Sequence, residues 1–506
     1  MRRCYYLLLW MLSITGIGLG QSLQILKPGE YSVGFRSSLA YDLSRPAMFG
    51  QLGDTAVDAR ALKINLWYPT QQSEGHQKMR LNDYLLTEGE NPFFTGSKIE
   101  KARKFYFRYN PEFIPYFDSL IDLNLSMNAY LEAPSSKGKF PTVILMHDGP
   151  TAFSVLAEYL ASHGYVVINF PVFGSEGIVF DNQTNAVESE LRDMEFVIGS
   201  AKKLPFADMD NLVLAGFSYG GLSITSFQMR HQSAKGIISF DTGITDSWGT
   251  GLMEKMPYYD LEKLSVPILH FWTENGSWTQ ELKWLDNYKY ADRHSFQLND
   301  LRHFDFTGTG LFRQYFPQWI EQMQGKELGD YVSGYRKICQ ETLEFLNSLT
   351  REAAYNPLPK VGSTHKEMAY QYFKALELPP SIEGLKEIYS EGGMEEVINI
   401  FNGLKSLDKY PFTERRFNSF ARYLERNANP NEALEWVDLY KQIYPNSAQA
   451  YFRSAVIHER LSHEAEAMKA YRRVLELAPI DYALDRHFRS AYTTRASEKL
   501  EELEEK

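Results

Sequence analysis

Residues 211–221 read NLVLAGFSYGG. An apolar, β-branched run ends at Ala215, and a helical stretch starts near Gly220. Between them stands Gly-Phe-Ser-Tyr-Gly, a serine raised on a tight strand-to-helix turn. Gly216 and Gly220 leave room for that turn and for close packing of helix on strand. Ser218 would then project its hydroxyl at the carboxyl edge of a sheet, above a helix N-terminus that favours developing negative charge. The string alone is weak evidence; the strand before it and the helix after it give it weight.

Working outward, further short apolar runs lie at 62–67, 142–146, 165–169, 236–240 and 267–271, with helical stretches at 152–163 and 185–203. Near-continuous apolar strands alternating with helices predict a mostly parallel sheet with helices on both faces. With the serine turn, that is the pattern of an α/β-hydrolase fold. Residues 71–130 interrupt it, first polar and then strongly aromatic, and read as an insertion over the sheet's active edge.

A serine hydroxyl needs a histidine to accept its proton and a carboxylate to hold that histidine. In this pattern the chain order is Ser, then Asp or Glu, then His. Asp241 ends the next strand (GIISFD) and is favoured as the acid over Glu274, which follows the later strand 267–271. Three histidines come after Asp241 in this region. His270 lies inside an apolar strand and reads as core, and His294 opens the run HSFQL and belongs at the sheet's far end. His303 follows that run and is the expected base. A tetrahedral intermediate also needs preorganised donors. The expected pair is the backbone amides of Tyr219 and of Gly149 in the loop His147-Asp148-Gly149-Pro150, where Pro150 has no N–H to give. Asp148 stands where a second glycine is common. This chemistry asks for no metal and no organic cofactor.

These segments resemble the plasma type of platelet-activating factor acetylhydrolase and its bacterial relatives. The likeness rests on YSVGFRSSLAYDLSR, LKINLWYP, LAEYLASHGYVVINFP, RDMEFVI, GFSYGG, GIISFD and RHFDF, and spans roughly residues 28 to 310. The resemblance implies a calcium-independent serine esterase that removes short or oxidised acyl chains from phospholipids. Its order of nucleophile, acid and histidine matches Ser218, Asp241 and His303. The HDGP loop departs from the usual glycine-rich version.

The 506 residues exceed one typical domain. With 44% hydrophobic and 23% charged residues the chain reads as globular, not disordered or multispan. A net charge of −11 argues against nonspecific binding to nucleic acid or anionic lipid. Met1-Arg2-Arg3 followed by the apolar run Tyr5–Gly20 fits a signal peptide over 1–20, cut before Gln21; an uncleaved anchor is the alternative. The mature protein is expected to be periplasmic or extracellular, with no stable membrane span. Cys339 is then the one remaining cysteine, so the fold carries no internal disulfide.

The first domain is expected to run from 21 to 350, followed by a linker over 351–365 marked by Pro357, Pro359 and Gly362. Beyond it, residues 366–506 read as helices only. Pro411, Pro445 and Pro479 recur every 34 residues, as do Ala433 and Ala467, which is the tetratricopeptide period. Such repeats serve equally as a groove for a protein partner or as a packing appendage. The expected small partner is an ester or lipid substrate.

Overall fold

The computed structural model describes residues 23–45, 59–90, 96–106, 125–146, 149–171, 184–276, 280–357, 364–406, 412–481 and 484–505, apart from positions 24, 72, 366, 367 and 485. Positions 116 and 119 are also described. The signal-like segment, His147, Asp148, Pro359, Gly362 and Pro411 lie outside the described residues. The described chain divides into two compact units, one ending at Leu376 and one beginning at Glu377.

The described residues of the first unit form twelve strands: β1 (Ser32–Asp42), β2 (Arg60–Thr70), β3 (Lys78–Arg80), β4 (Ser126–Leu131), β5 (Phe140–Met146), β6 (Val166–Phe170), β7 (Ala207–Phe217), β8 (Ile237–Phe240), β9 (Ile268–Trp272), β10 (Arg293–Leu298), β11 (Thr364–His365) and β12 (Met368–Phe373). Their order in one sheet is β11-β12-β10-β9-β8-β7-β5-β6-β2-β1-β4-β3. From β6 to β10 every neighbouring pair is parallel. The outer strand β2 is antiparallel to β6, and β12 is antiparallel to β10.

Alternation within the central strands divides the core in two. Val143, Leu145, Val213, Ala215 and Phe217 join the apolar layer on one face; Ile144, Met146, Leu212 and Leu214 join the layer on the other. Both faces are therefore apolar, as a sheet covered twice by helices requires. The helices Pro150–Ser162 and Tyr331–Thr350 contribute to the first layer, and Thr184–Ala201 and Gly220–His231 to the second.

Two expectations change. The segment 71–130 does not simply lie over the sheet: it supplies β3 and β4 to one sheet edge, β4 pairing parallel with β1. Its helix Leu81–Thr87 buries Tyr84, whose hydroxyl accepts from Trp67 Nε1 at 2.9 Å and donates to Glu158 Oε1 at 2.7 Å. Most of the aromatic stretch 107–124 lies outside the described residues.

The boundary also moves from 350 to 376. Residues expected to be linker and first repeat instead form β11 and β12. The physical reason is the open edge of β10. Met368–Phe373 pairs along all of it, Tyr370 packs on Phe296, and the Ala375 amide donates to Asp292 Oδ1 at 2.9 Å. An unpaired edge next to the core would leave a row of backbone groups unsatisfied.

Among the described residues the second unit holds only helices and their connections: Ile382–Lys405 (interrupted at Gly393, φ 70°), Glu414–Asn427, Pro430–Ile443, Ala448–Arg460, Glu464–Leu477 and Arg486–Glu504. Side-chain oxygens of Thr413, Asn429 and Ser447 cap three of these helices. Corresponding helices start 34 residues apart, Glu414 with Ala448 and Pro430 with Glu464. Ala433 and Ala467 are fully buried. Phe401, Phe412, Phe417, Phe420 and Trp436 fill the first interior cluster, and Trp436 Nε1 donates to the Phe417 carbonyl at 3.1 Å.

Candidate active site

Strand register gathers the chemistry at one edge. Gly216 is level with Met146 of β5, and Phe217 is level with Phe240 of β8. Ser218 and Asp241 are therefore the next residues beyond two adjacent parallel strands, and Gly149 lies three residues past the end of a third. The Ser218 amide donates to the Phe240 carbonyl at 3.1 Å, and the Asp241 amide to the Phe271 carbonyl at 2.7 Å. Each residue leaves its strand at positive φ, 54° for Ser218 and 45° for Asp241. Non-glycine residues rarely adopt that conformation, and where they do it is held by the surrounding structure.

The glycines show how the turn is held. A Cβ on Gly220 would stand 2.4 Å from the Met146 carbonyl oxygen. One on Gly221 would stand 2.4 Å from the Thr242 side chain. The helix that follows Ser218 is thus pressed onto the ends of both neighbouring strands, which only glycine permits.

Ser218, Asp241 and His303 come together. His303 Nε2 lies 3.1 Å from Ser218 Oγ, and His303 Nδ1 lies 2.6 Å from Asp241 Oδ2. Asp241 is fully buried, while Ser218 keeps 9% and His303 7% of their surface. The His303 ring stacks on Phe217, centroids 4.5 Å apart. Its turn is pinned by Asp305, whose Oδ2 accepts from the Arg302 amide at 2.9 Å and whose Oδ1 accepts from Gln324 Nε2 at 2.8 Å. With Asp241 as acceptor at Nδ1, the neutral ring has its acceptor nitrogen facing the serine hydroxyl, the arrangement a general base requires.

Gly149 and Tyr219 are both N-cap residues, of helices Pro150–Ser162 and Gly220–His231. Their positions at helix N-termini suit developing negative charge. A Cβ on Gly149 would stand 2.2 Å from Glu88 Oε1, and that same oxygen accepts from Thr151 Oγ1 at 3.1 Å. Glu88, 3% exposed, thus ties the segment 71–130 to the Gly149 turn.

The other candidates fall elsewhere. Glu274 sits exposed in the turn after β9. His270 is buried in β9 between Ser239 and Thr245, and burial lowers its pKa to about 3. His294 is the second residue of β10 and shares a hydrogen bond with Tyr370 Oη, 2.6 Å away; burial lowers its pKa to about 4. Trp248 lies near Tyr219, with ring centroids 6.2 Å apart, whereas Trp272 is buried and donates to Ser295 Oγ at 3.1 Å. Glu88, Phe217 and Gln280 were not singled out in the sequence. Gln280 Nε2 donates to Asp241 Oδ1 at 3.3 Å from the loop after β9. A neutral amide in a loop carries no sequence signal of that contact.

Comparison with known proteins agrees with this architecture. Residues 151–295, which include Ser218 and Asp241 but not His303, match the prolyl oligopeptidase family, Peptidase_S9. No curated protein matches the chain. Among solved structures, a ferulic acid esterase from Streptomyces cinnamoneus is similar with a TM-score of 0.50 at 17% identity, over 70% of this chain and 100% of that one. The first unit has the α/β-hydrolase type of fold, a mostly parallel sheet flanked by helices. Among the described residues, no helix is long and apolar enough to cross a membrane.

Proposed function

We propose that this chain is an exported serine hydrolase that cleaves carboxylic esters through an acyl-enzyme. The observation that carries the reading is the unbroken line Ser218 Oγ, His303 Nε2, His303 Nδ1 and Asp241 Oδ2, at 3.1 and 2.6 Å. Ser218 attacks the ester carbonyl while His303 takes its proton. The Tyr219 and Gly149 amides hold the oxyanion. His303 then returns the proton to the departing alcohol, and a water repeats the sequence to release the acid. Asp241 keeps the imidazole in its tautomer and stabilises its charged form. Short-chain acyl esters, phospholipid acyl groups among them, are the proposed substrates, on the resemblance carried by GFSYGG, GIISFD and RHFDF. The apolar segment 5–20 supports export. The 34-residue spacing of the C-terminal helices supports tetratricopeptide-like repeats, for which docking of a protein partner is the proposed role.

A second reading is an amidase or peptidase on the same three residues. The match to the prolyl oligopeptidase family favours it. The test is hydrolysis of p-nitrophenyl esters of increasing chain length beside peptide p-nitroanilides, with Ser218→Ala in parallel. Short esters turned over by the wild type, anilides left intact, and ester turnover lost in the variant are expected. Anilide cleavage that outpaces ester cleavage would transfer the reading to a peptidase, and ester turnover surviving Ser218→Ala would end it.

A further inference from the structure

The hydrogen bonds behind Asp241 run in one direction only. Gln280 Nε2 faces two acceptors, Asp241 Oδ1 at 3.3 Å and the Thr242 carbonyl at 3.1 Å. Two acceptors demand the amide nitrogen at that side, which turns Gln280 Oε1 towards Thr245. The Thr245 hydroxyl donates to Oε1. A hydroxyl has one proton, so Thr245 Oγ1 accepts from His270 Nε2, 3.2 Å away. The ring's proton is then on Nε2, and His270 Nδ1 accepts from Ser239 Oγ at 2.9 Å. Ser239 Oγ in turn accepts from Thr242 Oγ1 at 2.7 Å. Ser239, Thr242, Thr245 and His270 are all fully buried, so water does not compete for these groups. Burial also keeps His270 neutral at working pH, which is the proton count the chain of bonds requires.

This arrangement has a consequence at the acid. Asp241 leaves β8 at positive φ and is fully buried, so the partners of its two oxygens decide which of them faces the imidazole. Oδ1 is held by Gln280 and by the Thr273 amide at 3.4 Å, which leaves Oδ2 to face His303. A Cβ on Gly276 would stand 2.7 Å from Oδ2, so the loop after β9 also shapes the space in which the carboxylate sits.

We propose that Gln280 is a positioning residue for Asp241, locked in its orientation by the buried chain Ser239–His270–Thr245; this rests on the serine-hydrolase reading above. The loop after β9 thus supplies the amide that aims the acid, while the acid itself comes from the loop after β8. Gln280 touches no reacting atom, and its effect passes through Asp241 to His303.

The test measures kcat and KM on p-nitrophenyl acetate for the full-length protein, with active sites titrated by a fluorophosphonate. Gln280→Leu removes the donor, Thr245→Val cuts the chain without changing side-chain shape, and Thr245→Ser restores the hydroxyl. The expected result is a kcat lowered about 10- to 100-fold in Gln280→Leu, the scale of one hydrogen bond to a charged group. KM stays within about twofold, because no substrate contact is lost. Thr245→Val lowers kcat in the same sense, and Thr245→Ser returns most of it. The downfield Nδ1 proton resonance of His303 moves in the two impaired variants and not in Thr245→Ser. Unchanged kcat in both impaired variants, a change in KM alone, or Thr245→Ser as poor as Thr245→Val would overturn the proposal. If Gln280→Leu does not fold, the Thr245 pair decides. Failure of the underlying reading is distinct: wild type would then show no turnover that depends on Ser218.

Discussion

Asp241 Oδ2 stands 2.6 Å from His303 Nδ1, although the two residues are 62 positions apart and leave different strands of the sheet. Their meeting follows from parallel register. β8 and β10 flank β9 and end at the same edge, so the loop after each reaches towards the same point. The contact gives the imidazole one tautomer.

Asp241→Asn tests what that contact does. The amide keeps the shape of the buried side chain but offers a donor where His303 requires an acceptor. We expect kcat on short esters to fall about 10⁴-fold, the scale at which a triad acid acts through tautomer and charge. Circular dichroism should show an intact fold. A loss below about tenfold would contradict the role given to Asp241.

Gly220→Ala tests the turn. A methyl group there meets the Met146 carbonyl oxygen at 2.4 Å, and backbone cannot step aside as a flexible side chain can. Overpacking of this kind costs about 1–3 kcal/mol. A lowered unfolding midpoint together with lost esterase activity is expected, measured by urea titration and initial rates. An unchanged midpoint with full activity would contradict the close approach.

Acid stability should report His270. Its pKa is lowered to about 3 by burial, from an ordinary 6.5. Between those values the unfolded chain binds the proton that the folded chain refuses, so stability rises with pH. The contribution is fully present above about pH 6.5 and is lost towards pH 3, at up to about 1.4 kcal/mol per pH unit. Urea unfolding at pH 7 and pH 5 should show a flatter pH dependence in His270→Gln than in wild type. Equal slopes would show that this ring is not held neutral by the fold.

The boundary at Leu376 can be tested by truncation. A chain ending at 350 lacks β12 and with it Met368 and Tyr370, which are 2% and 4% exposed. Each buried side chain of this size contributes about 1.5–3 kcal/mol, and the bared edge of β10 invites aggregation. The chain ending at 376 should be soluble and melt cooperatively, and the chain ending at 350 should not. Equal behaviour of the two would place β11 and β12 outside the fold's needs.

Much of the candidate site was legible because its geometry depends on strand order. An apolar run before Ser218, another ending at Asp241 and a third before His303 are enough to bring the three loops to one edge, whatever the side chains between. The strand β12 was not legible. MAYQYF carries aromatic spacing that suits a helix as well as a strand, and only the open edge of β10 decides between them. Likewise Glu88 lies in a stretch without periodicity, and its place beside Gly149 depends on β3 and β4 joining the sheet. Gln280 depends on the rotamer of a neutral side chain, which no pattern of residue types records.

Everything proposed for this site depends on Ser218 acting as the nucleophile. Its most direct test is reaction of the folded wild-type chain with a fluorophosphonate, followed by mass-spectrometric mapping of the adduct and assay of residual ester hydrolysis. One adduct per chain is expected, on Ser218, with activity lost in proportion to labelling. Labelling at another residue, or hydrolysis that persists after Ser218 is fully modified, would contradict it.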